Sequence, residues 1–189
     1  ALVAAERKSM VKPQLETLGA ALSVLAVDDS WDGKSPLMVE AAAGRVATAA
    51  NRAAWRRQLQ QGATLVVIGA TPEDAAWLTE LAGEAVALTV PPYRMWEGRG
   101  YRRGWPRWTA GLSQLDLYWK RFSGSEAHGG QSQDPKFLIE PLQDWAVKTA
   151  GGRELVFPGV LTELEVGQGL LLLDQRRWWT RNEKLVTQA

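Results

Sequence analysis

The chain contains no cysteine. That absence excludes a disulfide framework, a thiolate metal site and a cysteine nucleophile at once. Histidine is nearly absent: His128 is the only one in 189 residues. A His-rich metal site is therefore excluded, and a Ser-His-Asp triad would have to use that residue. A surplus of one charge is missing too, since 22 Lys and Arg stand against 21 Asp and Glu, a net charge of +1. No long-range field draws such a molecule to nucleic acid or acidic lipid. No apolar run approaches the roughly 18 residues of a membrane span, so none is expected. Ala1 to Ala5 is too short for the apolar region of a signal peptide. The abrupt start without Met reads as a chain cut from a longer polypeptide.

Tyrosine and phenylalanine are scarce at 3 each, whereas tryptophan reaches 10. Such an excess means large flat surfaces, expected mostly in core and interface packing. A hydrophobic content of 46% is ordinary for a globular protein. The length fits one α/β domain over residues 1–189 and is too short for two independent cores.

The stretch from Gly44 to Leu81 sets the architecture. It reads as an alanine-rich helix, a glycine stop, an apolar strand and a second helix. Ala63 to Ile68 is a short, nearly unbroken apolar run rich in Val and Ile. Both of its faces must be covered, the mark of a parallel strand with helices on either side. The first helix is predicted from about Thr48 to Gln61, ended by Gly62. Ala49, Ala50, Ala53 and Ala54 give it a small-residue face for the sheet, beside the Trp55 and Leu59 pair. Thr71 and Pro72 open the next helix as N-cap and N1. Trp77, Leu78 and Leu81 are its buried candidates, and Gly83 ends it.

Upstream, Ala1 to Ala5 is the tail of a first strand. A helix follows within Glu6 to Leu18, with Val11, Leu15 and Leu18 on one face and Gly19 after it. Ala21 to Val27 and Pro36 to Ala42 read as strands two and three. The loop from Asp28 to Gly33 has three aspartates but lacks EF-hand spacing, and a solvated turn is expected. Glu84 to Val90 makes a further strand. Strands alternating with helices predict a doubly wound, mostly parallel sheet.

From Pro91 to about Gly152 the period dissolves into an insertion rich in aromatics and arginine, the kind of long segment that is usually functional. Regularity returns with Glu154 to Phe157. Val160 to Val166 and Leu170 to Leu173 then read as an antiparallel hairpin around Gly167-Gln168-Gly169, with Glu163 and Glu165 facing water. Asn182 to Ala189 reads as a tail.

The order of elements resembles class I glutamine amidotransferase-like domains, which are flavodoxin-like. The stretches ANRAAWRRQLQQGATLVVIG, GLSQLDLYW and FPGVLTELEVGQGLLLLDQRRWW narrow it. They look like the non-catalytic amidotransferase-like domain appended to bacterial glycoside hydrolases of the beta-galactosidase and related sugar-binding type. A working member places a cysteine at the sharp turn after its central strand. The resemblance puts that position on about Gly69, which has no side chain to attack a carbonyl, and no downstream His-Glu pair completes the triad. Glutaminase chemistry is excluded. What the resemblance implies is an accessory domain of a carbohydrate-active enzyme, without a cofactor. Its expected partners are carbohydrate and the neighbouring domains of a parent chain. Compartment stays open between the cytoplasm and a periplasmic or secreted setting, the latter favoured.

Ligands of such sheets sit beyond the carboxyl ends of the strands. Glu6, Asp28 to Trp31, Glu40 to Gly44 and Gly69 to Glu73 reach that edge, and the insertion follows Val90. There Tyr93, Trp96, Tyr101, Trp105 and Trp108 interleave with Arg94, Arg99, Arg102, Arg103 and Arg107, and Trp119 lies further on. Rings beside arginines suit a sugar, which offers an apolar face and hydroxyls. They also suit single-stranded nucleic acid, against which the near-neutral charge counts, and no nucleic acid is expected. An interdomain interface would use the same residue types. Asp116 and Glu140, next to apolar residues, are the candidates for an acid/base pair in a hydrolase; hydrogen-bonded structural anchoring is the plainer role for both. His128 falls in a polar glycine-rich loop, and Trp178 with Trp179 could cap the sheet or dock a neighbouring domain.

Overall fold

The computed structural model of the chain describes residues 2–3, 9, 11–17, 19, 21–91, 97–98 and 145–176. Its strands are β1 (Leu2–Val3), β2 (Val24–Leu25), β3 (Leu37–Glu40), β4 (Thr64–Ile68), β5 (Val86–Thr89), β6 (Glu97–Gly98), β7 (Ala146–Thr149), β8 (Arg153–Phe157), β9 (Leu161–Val166) and β10 (Gly169–Asp174). The α-helices are α1 (Lys12–Thr17), α2 (Ala41–Val46), α3 (Ala49–Gln60) and α4 (Ala75–Ala82), with a 3-10 turn at Pro72–Asp74 before α4.

The fold is mixed α/β around a mostly parallel central sheet with helices. Strand order is β2-β1-β3-β4-β10-β9-β8-β6. Pairing is parallel from β2 through β10 and antiparallel from β10 to β6. The apolar run that the sequence marks as central is indeed β4, flanked by parallel β3 and β10. Successive side chains of a strand point to opposite faces. Leu65 and Val67 accordingly join the main core with Trp55, Leu59, Trp77, Leu78 and Leu81 of α3 and α4. Ile68 lies in another cluster with Val11 and Leu15 beside α1, and Val66 packs against it.

The helix signals behave as their chemistry requires. The Thr48 side chain accepts from Asn51 N at 3.2 Å and so caps α3. Gly62, just beyond α3, has φ +108°, and Gly83 ends α4 at φ +82°, the left-handed region that a side chain resists. Thr71 and Pro72 stand where the N-cap and first helical position were expected.

Several details differ from the sequence reading. On α3 it is Trp55 and Leu59 that are buried, while Ala49, Ala50 and Ala53 are exposed. Burying a large side chain is worth about 1.5–3 kcal/mol against about 0.8 for one methyl, so the helix turns its large residues inward. The strand at Glu84 to Val90 does not extend the main sheet: β5 pairs antiparallel with β7 in a separate two-stranded sheet. Its alternation of buried Val86 and Leu88 with exposed Ala87 is that of a strand covered on one face. β7 falls inside the expected insertion, so regular structure resumes by Ala146. Strand three stops at Glu40, and Ala41 already begins α2. Finally, Glu163 is buried and ion-paired with Arg153, its cross-strand neighbour, while Glu165 is exposed as expected. A carboxylate with a guanidinium opposite it can leave water at a cost that an unpaired one cannot meet.

Candidate functional site

The carboxyl ends of the parallel strands meet in one row. Glu40 of β3 and Asp174 of β10 both pair in register with Ile68 of β4. Gly69 follows Ile68 with φ +67° and donates its N–H to the Asp174 carbonyl at 2.9 Å. The chain thus bends sharply between β4 and the 3-10 turn before α4. Glycine meets that left-handed φ without the penalty of a Cβ.

Every acidic side chain in this row is held by protein groups. Glu40 Oε1 accepts from Ser9 Oγ at 2.6 Å and from Val11 N at 3.3 Å. Ser9 Oγ in turn accepts from Lys12 N at 2.9 Å, at the start of α1. The Asp174 carboxylate accepts from Arg176 N and Nε, and its Oδ2 also from Nη2. Burial works against the Arg176 charge, yet Asp174 outweighs it and the guanidinium pKa rises above its ordinary value. Gln175 between them is buried and donates its N–H to Val160 O at 2.7 Å, while its side-chain Nε2 has no partner among the described residues.

Behind the bend lies a second network centred on Asp74, which is fully buried. Its oxygens accept from Arg45 Nε and Nη2, Trp77 Nε1, Thr71 N and Thr71 Oγ1, all between 2.8 and 3.0 Å. Burial opposes ionisation of Asp74, but the hydrogen bonds from Arg45, Trp77 and Thr71 prevail and hold its carboxyl below the ordinary carboxylate range. The hydrogen bond to Asp74 raises the pKa of Arg45, and Glu73 adds to it. The indole of Trp77 also seats on Gly44 of α2, where a Cβ would stand 2.6 Å from Cη2. α2 and the start of α4 are thereby fastened to each other.

Among the described residues the arrangement positions backbone and brings no unengaged nucleophile to the bend. Gly69 offers no nucleophile, and the Ser9 hydroxyl is engaged with Glu40 and the start of α1. Among the described residues no cluster of three His, Cys, Asp or Glu could hold a metal ion, and no helix is long and apolar enough to cross a membrane. In the triple-aspartate loop Asp29 accepts from Ala26 N, Asp32 from Lys34 N and Asp28 from Asn51, the bonding of turns rather than of a cation site. A separate cleft of about 260 Å³ is lined by Glu84, Gly151, Arg153, Glu163, Leu164 and Glu165.

Of the residues singled out from the sequence, Gly69 stands at the strand-to-helix bend. Tyr93, Arg94, Trp96, Tyr101, Arg103, Trp105, Trp108, Trp119, Asp116, Glu140, His128, Trp178 and Trp179 lie outside the described residues. Trp31, expected on a loop at the ligand edge, is buried in the main core and donates to Ser35 O at 2.9 Å. With Trp55, Trp77 and partly buried Trp145 it belongs to that core. Arg45, Asp74 and Asp174 escaped the sequence reading. Thr71-Pro72-Glu73-Asp74 does carry the spacing of a capping box, whereas nothing local announces the partnership with Arg45. Searches of protein-family models, of curated proteins and of solved structures found no match to this chain.

Proposed function

We propose that the chain is a non-catalytic accessory domain of a carbohydrate-active enzyme, contributing glycan binding, interdomain assembly or both. The carrying observation is Gly69: a residue with φ +67° directly after the central parallel strand, where a related amidotransferase would present its cysteine. A hydrogen atom replaces the reactive group while the bend that would display it is kept. The order second, first, third, fourth and last among the parallel strands supports a doubly wound, flavodoxin-like arrangement. The turn at Gly167 and Gln168 between antiparallel β9 and β10 fits a C-terminal hairpin on that sheet.

Glycan binding rests on the composition of the stretch after β5, where rings alternate with arginines. Tyr93, Trp96, Tyr101, Trp105, Trp108 and Trp119 supply platforms for the apolar face of a pyranose. Arg94 and Arg103 supply donors for its hydroxyls. Isothermal titration of the chain against a panel of glycans tests this reading. Heat that disappears in the Trp105→Ala and Trp108→Ala variants supports a binding module, and no heat with any sugar reduces the role to assembly. Hydrolysis of chromogenic glycosides by the chain, lost in Asp116→Asn or Glu140→Gln, would overturn the non-catalytic reading.

A further inference from the structure

We draw no further inference here: the strongest candidate, the cleft of about 260 Å³ that Glu84, Arg153, Glu163 and Glu165 line beside β9, is an acidic cluster in which Gly151 N–H already engages Glu84 and Arg153 already engages Glu163, and nothing in the structure shows what ligand would occupy it.

Discussion

Arg45 meets Asp74 through two hydrogen bonds, Nε to Oδ1 and Nη2 to Oδ2, each 3.0 Å long. Because Trp77 and Thr71 donate to the same carboxylate, one side chain ties α2, the bend after β4 and the start of α4 together. Replacing it leaves several donors without an acceptor, which costs more than the bonds themselves contribute. Asp74→Ala is expected to lower stability by about 2–3 kcal/mol, below the upper range for a broken buried pair. The half-exposed Arg45 can turn to water, which limits the loss. Urea denaturation reads this directly, and a loss under about 0.5 kcal/mol, the scale of ordinary surface substitutions, would show the network to be dispensable.

The same carboxylate makes stability depend on acidity. Its folded pKa lies below the ordinary value, whereas the unfolded chain titrates near 3.9, the usual figure for Asp. The folded state therefore binds this proton less readily than the unfolded one. The contribution is fully present above the unfolded pKa and is lost as pH falls through the lower folded pKa. The stability difference between the parent chain and Asp74→Asn should stay constant from neutral pH to about pH 5, then shrink on further acidification. A difference that widened in acid would contradict the ion pair.

What could be read in advance follows a physical line. β4 was legible because an apolar run covered on both faces has few alternatives, and α3 and α4 because Thr48, Gly62, Thr71, Pro72 and Gly83 act within a few residues of themselves. The facing of α3 was not: alanine and tryptophan both favour burial, and the balance appears only when the sheet is present. The pairing of β5 with β7 spans more than fifty residues of chain, a separation at which local pattern carries no information about partners. Glu163 shows the same limit, since its burial depends on Arg153 across the strand pair. At the candidate site, Gly69 was legible only through the resemblance to amidotransferase-like domains, which places their reactive turn just after the apolar strand. The row formed by Glu40, Ile68 and Asp174 needed the register of three strands, two of them more than a hundred residues apart in sequence.

Gly169 marks where β10 passes under the end of α3. A Cβ at that position would overlap the carbonyl oxygens of Leu59 and Ala63, and both are backbone that cannot swing aside. Gly169→Ala is expected to cost about 3 kcal/mol, the upper part of the range for overpacking. Gly62 differs: its φ is +108°, but a Cβ there would meet nothing nearer than 3.9 Å. Gly62→Ala should cost only the backbone strain, about 1–2 kcal/mol. Thermal or urea unfolding of the two variants side by side checks the order; equal losses would mean that the close approach of β10 to α3 is not maintained in solution.

The bend at Gly69 permits a sharper test of the proposed accessory role. Gly69→Cys introduces a thiol at the position that the proposed reading equates with the amidotransferase cysteine, at a conformational cost of about 1–2 kcal/mol for a side chain at positive φ. A thiol must still be deprotonated to attack an amide, which takes a neighbouring base. The carboxylates flanking the strand end, Glu40 and Asp174, already accept from Ser9 and Arg176, and the only histidine, His128, lies in the glycine-rich stretch outside the described residues. Gly69→Cys should therefore unfold at slightly lower urea yet release ammonia from glutamine no faster than the parent chain. Ammonia release above that background would mean that the rest of the amidotransferase machinery survives around the bend, and the accessory role would have to give way to an enzyme missing one atom group.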